Sequence, residues 1–465
     1  MASKLGIYGL STMGQNLALN FAERDVTISV YNRTSKTTFD FVSKHYTENL
    51  GKRIVGFETV EDFIQSLQNP RIIILLVKSD AVEAVVDQLI QHLSPEDTVV
   101  DMGNSYFRQS RSISQKIRGK ANFMDCGISG GEEGARHGAS FMLGGDSLNP
   151  QILELLRLVA ARKGDYACAE HFTGIGAGHF IKMVHNAIEY AVMQFLAEIY
   201  ACLVKSGQSL DDIIQLFSQL ASTGLDSYLL KISIDIFKTS KENGVLDDIE
   251  EIAGQKGTGK WTIQTALDYG VGVPCLTAAV ESRFLSKVFL LNSVKLKSAS
   301  NERINSALVE DVFKLALFSI YDQATRLLKV ARDEEGFNFD LKMPFKVWQA
   351  GCILAADHLE LIARHNFENA NSLFEQVDSE VYRFFVGDIN QKLSSMQAFV
   401  NYALRLRSYI PVTLSVAGYI NGLHSESPLG FNLIQAQRDY FGKHGVVLKS
   451  SKDHGLQNIE WLKSE

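Results

Sequence analysis

Proline is scarce, at seven in 465 residues, so long helices can run without interruption. The five cysteines (Cys126, Cys168, Cys202, Cys275, Cys352) are odd in number and never form a CxxC pair. That excludes a disulfide framework and a thiolate zinc site of the usual spacing, and no other metal-ligand cluster stands out. Packed, reduced thiols in a cytoplasmic protein fit better. Basic blocks are missing too. With 46 Lys and Arg against 53 Asp and Glu, the net charge is −7, so nucleic acid is not an expected partner, although a local pocket for a small anion is. Uninterrupted apolar runs such as IIILLV (72–77) are strand-length, far short of the roughly 20 residues of a membrane span. No membrane partner is expected. The amino-terminal MASKLGIYGL enters a strand pattern at once, leaving no room for a targeting peptide.

What is present is alternation. KLGIY (4–8), VTISVY (26–31), RIIILLV (71–77), TVVDM (98–102) and NFMDC (122–126) read as strands, separated by amphipathic stretches such as AVEAVVDQLIQHL (81–93). Continuous apolar strands between helices predict a parallel sheet covered on both faces. After GIGAG (174–178) strand signals nearly vanish, and 3.6-residue periods dominate to about 434. One of them, 311–334, faintly echoes 179–205. The expected architecture is an α/β Rossmann-like N-terminal domain (1–176), a large all-α C-terminal domain (177–434) and an extended C-terminal tail (435–465).

The first strand runs into GLSTMG, with Gly9, Leu10, Ser11, Thr12, Met13 and Gly14 in a G-x-G-x-x-G context whose middle glycine is serine. Gly9 permits the turn, Gly14 permits close helix–strand packing, and the helix start favours a pyrophosphate. The second strand ends in Asn32, Arg33 and Thr34, where a carboxylate would read a ribose 2′-hydroxyl. A guanidinium and a hydroxyl suit a 2′-phosphate instead, so NADP is expected over NAD. Further loops leave later strands at Val77-Lys78-Ser79, at GNS with Asn104, and at ISGGEEGARHGAS with Ser129, Gly130 and Gly131. In register on one sheet edge, they would converge on a single crevice.

In the helical half, AGQKGTGKWT (253–262) sets three glycines beside Lys260 and Thr262, suited to an anion. In HFIKMVHNAIEY (179–190), Lys182, His185, Asn186, Glu189 and Tyr190 share one helix face. Positions 193, 196, 197 and 200 continue that stripe as Met, Leu, Ala and Tyr, so the patch reads as lining a pocket rather than facing water.

GLSTMGQNLALN, YNRT, LVK, GNS, SGGEEGAR, GAGHFIKMVHNAIEY, AGQKGTGKWT and AQRDYFGKH, in this order, resemble the decarboxylating 6-phosphogluconate dehydrogenases. The resemblance implies oxidation of 6-phosphogluconate at C3 by NADP⁺ and loss of CO₂ to give ribulose 5-phosphate, in the oxidative pentose phosphate pathway. It makes Lys182 the general base and Glu189 the acid that protonates C1. Asn104, Ser129, Gly130, Gly131, His185 and Asn186 would hold the carboxylate and hydroxyl end, and Tyr190, Lys260, Thr262 and Arg283 the phosphate. Arg438 and His444 match residues that reach the other subunit's site, implying a homodimer with tail exchange. Departures from the family pattern fall at Met102, Ala139, Leu143, Ala187, Ala191 and Val192, at the arginine missing after GCI (351–353) and in the tail after Gly445, and none removes a named catalytic residue. Two other readings are a divergent β-hydroxyacid dehydrogenase with another substrate and a catalytically silent NADP-binding protein.

Overall fold

A computed structural model describes residues 2–46, 50–255, 257–291, 304–366, 368–426, 429–451 and 455–461. Lys256 of the glycine-rich loop and residues 452–454 and 462–465 of the tail lie outside them. The first half alternates β1 (Leu5–Tyr8), α1 (Thr12–Glu23), β2 (Ile28–Tyr31), α2 (Ser35–Lys44), β3 (Ile54–Phe57), α3 (Val60–Gln65), β4 (Ile72–Leu75), α4 (Val82–Leu89), β5 (Thr98–Asp101) and α5 (Phe107–Ile117). Then come β6 (Asn122–Ser129), α6 (Gly131–His137), β7 (Ser140–Gly145), α7 (Pro150–Val159), a small hairpin of β8 (Arg162–Lys163) and β9 (Tyr166–Ala167), and β10 (Ala169–Thr173).

Eight strands form one sheet in the order β10-β7-β6-β5-β4-β1-β2-β3. Apolar residues such as Ile72 to Leu75 point alternately to two buried layers, which is why these strands read as unbroken hydrophobic runs. The run from β3 to β6 is the dinucleotide-binding order, with its switch point between β1 and β4. One expectation is corrected: the sheet is not wholly parallel, because β7 runs antiparallel to β6. Only ten residues join these two strands, too few for a parallel crossover of a dozen or more. The strands β3, β7 and β10 were also not foreseen.

From α8 (Ala177–Lys205) onward the chain is helical: α9 (Leu210–Leu220), α10 (Tyr228–Asn243), α11 (Val245–Asp248), α12 (Thr258–Asp268), α13 (Pro274–Leu290), α14 (Ser306–Glu335), α15 (Lys342–Val347), α16 (Leu359–Arg364), α17 (Glu380–Phe385), α18 (Ile389–Arg405), α19 (Pro411–His424) and α20 (Phe431–Gly442). Length and composition alone would let α8 cross a membrane, with a mean hydropathy of 1.5 in its most apolar window. Scanning for unbroken apolar runs passes over it because Lys182, His185 and Glu189 interrupt them. Most of the helix is core, against β6, β7, α12, α13 and α14. The chain divides into two compact units, Met1–Val416 and Ala417–Glu465. In the second unit, the buried Asp439 of α20 accepts from the amides of Gly445 and Ile459 and from the Trp461 indole, each at 2.9 Å. These bonds hold its carboxyl below the usual range, the Ile459 amide foremost.

Candidate active site

The glycine turn is shaped by close backbone approach. Gly9 has φ +107°, and a Cβ there would lie 2.6 Å from the Leu76 carbonyl oxygen. A Cβ on Gly14 would lie 2.0 Å from the Gly9 carbonyl oxygen, so both positions need glycine. The Asn32 side chain accepts from the Leu10 amide at 3.1 Å, tying the end of β2 to the turn. No side chain caps α1 at Ser11, which leaves its first-turn amides to an anion. Arg33, Thr34, Lys78 and Asn104 are exposed around this edge, with Val77 and Ser79 half-buried. This cradle fits a dinucleotide phosphate.

Asp101, buried at the end of β5, accepts from the Gly103 amide (2.9 Å) and the Ser105 hydroxyl (2.7 Å). It thereby presents Asn104. Gln109 donates to the Ser79 carbonyl at 3.1 Å and joins this turn to its neighbour. The register Leu75–Asp101–Asp125 ends β4 and β5 together. β6 continues four residues further, about 13 Å, and brings Ser129 and Gly130 over the crevice.

There β6 meets α8. Ser129 Oγ lies 3.1 Å from His185 Nε2, His185 Nδ1 lies 3.2 Å from Asn186 Oδ1, and Asn186 Nδ2 donates to Thr258 Oγ1 at 2.8 Å. With its Nδ2 committed to Thr258, Asn186 offers His185 an oxygen, so the network assigns the proton to Nδ1 and lets Nε2 accept from Ser129. Burial pushes the His185 pKa well below its ordinary value, and the nearby Lys182 charge adds to this. The ring is therefore neutral, and its 3.9 Å approach to Glu189 is not an ion pair. The His185 ring packs against Trp348, with centroids 5.5 Å apart. Lys182, Asn186 and Glu189 are half-buried, while His185 and Tyr190 are buried.

Two turns along α8, the Arg283 guanidinium lies over the Tyr190 ring, 4.6 Å from its centroid, and donates to the Gly254 carbonyl at 3.2 Å. A Cβ on Gly259 would come within 3.0 Å of that ring, so the glycine-rich loop lets α12 close on Tyr190. Lys260 is exposed in the first turn of α12. Thr262 is fully buried, and its hydroxyl lies 2.8 Å from the Met183 carbonyl and 3.1 Å from that of Thr258. A ligand would reach it only by exchange with one of these. Arg438 and His444 lie in the second unit and are exposed; Arg438 donates to Gln435 at 2.9 Å.

The expected buried continuation of the α8 stripe needs correction. Leu196 is buried and Tyr200 half-buried, but Met193 and Ala197 are exposed. A few site residues escaped sequence reasoning. Thr258 stood inside the quoted AGQKGTGKWT, and Asp101 inside TVVDM. Trp348 has no local signal, because it meets His185 only through the fold. Of the departures from the family pattern, Met102, Ala139, Leu143, Ala187, Ala191 and Val192 are buried, which makes them changes of packing. The thiols are buried as well, and burial pushes Cys168 and Cys202 up to about 11 and Cys352, despite the Lys182 charge, to about 12. A groove of about 940 Å³ lined by Arg111, Asn122 and Asn149 opens at the amino ends of β5 and β6 and holds none of the expected site residues. Sheets of this type bind at the opposite edge.

Comparison with known proteins spans nearly the whole chain. The family model for the NAD binding domain of 6-phosphogluconate dehydrogenase matches residues 4–171, and that for the C-terminal domain of 6-phosphogluconate dehydrogenase matches residues 178–461. The NADP(+)-dependent, decarboxylating 6-phosphogluconate dehydrogenase of Bacillus subtilis (strain 168) is 35% identical over 483 residues, covering 99% of each chain. The decarboxylating enzyme of Salmonella typhimurium is 34% identical over 476 residues, again covering 99% of each. The 6-phosphogluconate dehydrogenase of Plasmodium falciparum, solved in its apo form, with NADP⁺ and with 6-phosphogluconate, superposes with a TM-score of 0.89. It is 30% identical, with 98% of this chain and 100% of that one covered.

Proposed function

The chain belongs to the 6-phosphogluconate dehydrogenase family and is an NADP-dependent oxidoreductase that oxidises and decarboxylates 6-phosphogluconate, and from that premise we propose which of its residues perform each step. The hydride leaving C3 would go to bound NADP⁺, which would supply the oxidising chemistry. The Gly9–Gly14 turn cradles its pyrophosphate through the Leu10, Ser11, Thr12 and Met13 backbone, and Arg33 and Thr34, set by Asn32, receive the 2′-phosphate. Val77, Lys78, Ser79 and Asn104 line the nicotinamide side.

Lys182 removes the C3 hydroxyl proton. The ammonium so formed polarises the new C3 carbonyl, which draws in the electron pair released as CO₂ leaves. Glu189 then delivers a proton to C1. Asn104, Ser129, Gly130, Gly131, His185 and Asn186 orient the carboxylate and hydroxyl end, and the neutral His185 does so without adding a charge beside Lys182. Tyr190, Lys260, Thr262 and Arg283 hold the phosphate. The observation that carries this assignment is the placing of Lys182 and Glu189 two turns apart on one face of α8, with the Ser129–His185–Asn186–Thr258 chain beside them.

The reading extends to a homodimer in which Arg438 and His444 complete the other subunit's site. The exposed Phe431, Leu433, Ile434 and Phe441 on α20 support a partner surface there. It also takes 1–176, 177–434 and 435–465 as nucleotide domain, helical domain and exchanged tail, and a cytoplasmic place in the oxidative pentose phosphate pathway. The test is purified protein with NADP⁺ and 6-phosphogluconate, following NADPH absorbance and CO₂ release together. Equal yields of both are expected. NADPH without CO₂ would point to a plain hydroxyacid dehydrogenase, and NADPH binding without turnover to a silent protein.

A further inference from the structure

Asp125, Gly127 and Ser129 share one face of β6, and each meets α8 at a different level. Asp125 is fully buried; its Oδ1 accepts from the Gly176 amide at 2.6 Å and its Oδ2 from the His179 amide at 2.8 Å. The helix starts after Gly176, which has no side chain to cap it. The strand therefore supplies the cap, meeting two amides that a helix start leaves without partners and facing the positive end of the dipole. Next along the strand, a Cβ on Gly127 would lie 2.4 Å from Lys182 Cβ and 2.9 Å from the Gly178 carbonyl oxygen. Ser129 completes the series through His185. The matching helix positions, 179, 182 and 185, fall on one stripe.

We propose that Asp125 is a positioning residue for the reaction: it fixes α8 lengthwise against β6 and so places the Lys182 amine. A helix displaced by one residue moves its side chains 1.5 Å along the axis, enough to degrade a proton transfer by about 100-fold. Gly127 is the second half of the device, since its missing side chain is the space the Lys182 stem occupies. Burial pushes the Asp125 carboxyl above its ordinary range, while the His179 ring and the two amides hold it down. The inference rests on the reading of Lys182 as the base.

The test compares Asp125→Asn, Gly127→Ala and Lys182→Met in the full chain. In Asp125→Asn, an amide NH₂ replaces one acceptor and meets a backbone donor. The expected result is a kcat about 10- to 100-fold lower, with both KM values within about threefold of wild type. The acid limb of the kcat/KM pH profile should shift by about half a pH unit or more, and NADPH-binding stoichiometry should stay at the wild-type value. Gly127→Ala leaves the cap intact, is expected to give the same pattern, and reads the same step should Asp125→Asn fail to fold. A kcat within about twofold of wild type in both variants, or a loss matched by lost NADPH-binding sites, overturns the proposal. Turnover by Lys182→Met would overturn the base assignment itself, and the proposal with it.

Discussion

Glu198 lies four turns along α8 from Lys182 and is 1% exposed. Its carboxyl oxygens accept from the amides of Val412 and Thr413 (both 2.9 Å), the Thr413 hydroxyl (2.7 Å) and Gln194 (3.3 Å). The donors at Val412 and Thr413 open α19, so this side chain is that helix's cap. Burial outweighs all four bonds and pushes the Glu198 pKa from 4.5 up to about 7. A folded-state pKa above the unfolded one means that the folded protein holds its proton longer. Stability from this group is therefore fully present below pH 4.5 and is lost as pH rises through 7. A rise of that size corresponds to about 3 kcal/mol. For 465 residues the unfolding entropy is about 1 kcal/mol/K, so the effect on Tm is about 3 °C. His185 and His358, pushed down by burial, the latter to about 4, act in the opposite sense. Both lose stability as pH falls below about 6.5, and both are retained in a Glu198→Gln variant. The difference in Tm between wild type and Glu198→Gln, measured by differential scanning fluorimetry, cancels them. It should move by about 3 °C in favour of wild type on going from pH 8 to pH 5. A Tm difference that does not change with pH would refute the argument.

Other substitutions probe the two ends of the site. Gly14→Ala puts a methyl against the Gly9 carbonyl; such overpacking costs about 1–3 kcal/mol, and calorimetry should show NADP⁺ binding weakened about tenfold or more. Arg33→Asp should turn the kcat/KM preference from NADP⁺ towards NAD⁺; an unchanged preference would mean that the 2′-phosphate is read elsewhere. Arg283→Met removes a guanidinium from over Tyr190 and should raise the KM for 6-phosphogluconate about tenfold or more, as loss of a charge-assisted contact does. An unaltered KM would take Arg283 out of the phosphate site.

The central strands were legible because IIIL and the Val-Val centre of TVVD are apolar, as the middle of a strand covered on both faces must be. SFMLGG, which forms β7, was passed over because its glycines weaken a strand signal. They are there because a Cβ on Gly144 would sit 2.5 Å from the Gly178 amide nitrogen. The polar face of α8 could be read from spacing, and its roles from the family resemblance. What spacing could not show is how that face is held. Asp125 and Gly127 lie more than fifty residues from the α8 residues they meet, and the α19 donors to Glu198 are 214 and 215 positions away. Such partners come together only through the fold. The alanine at 187 is fully buried inside α8 and makes a better helix former than glycine by about 1 kcal/mol.

Every later step depends on the Lys182 amine acting as the base that starts the reaction. Single-turnover absorbance with Lys182→Met, saturated with NADP⁺ and 6-phosphogluconate, tests it most directly. 6-Phosphogluconate should still bind within about tenfold of wild type, with no burst of NADPH. A burst at a rate near the wild-type value would contradict it.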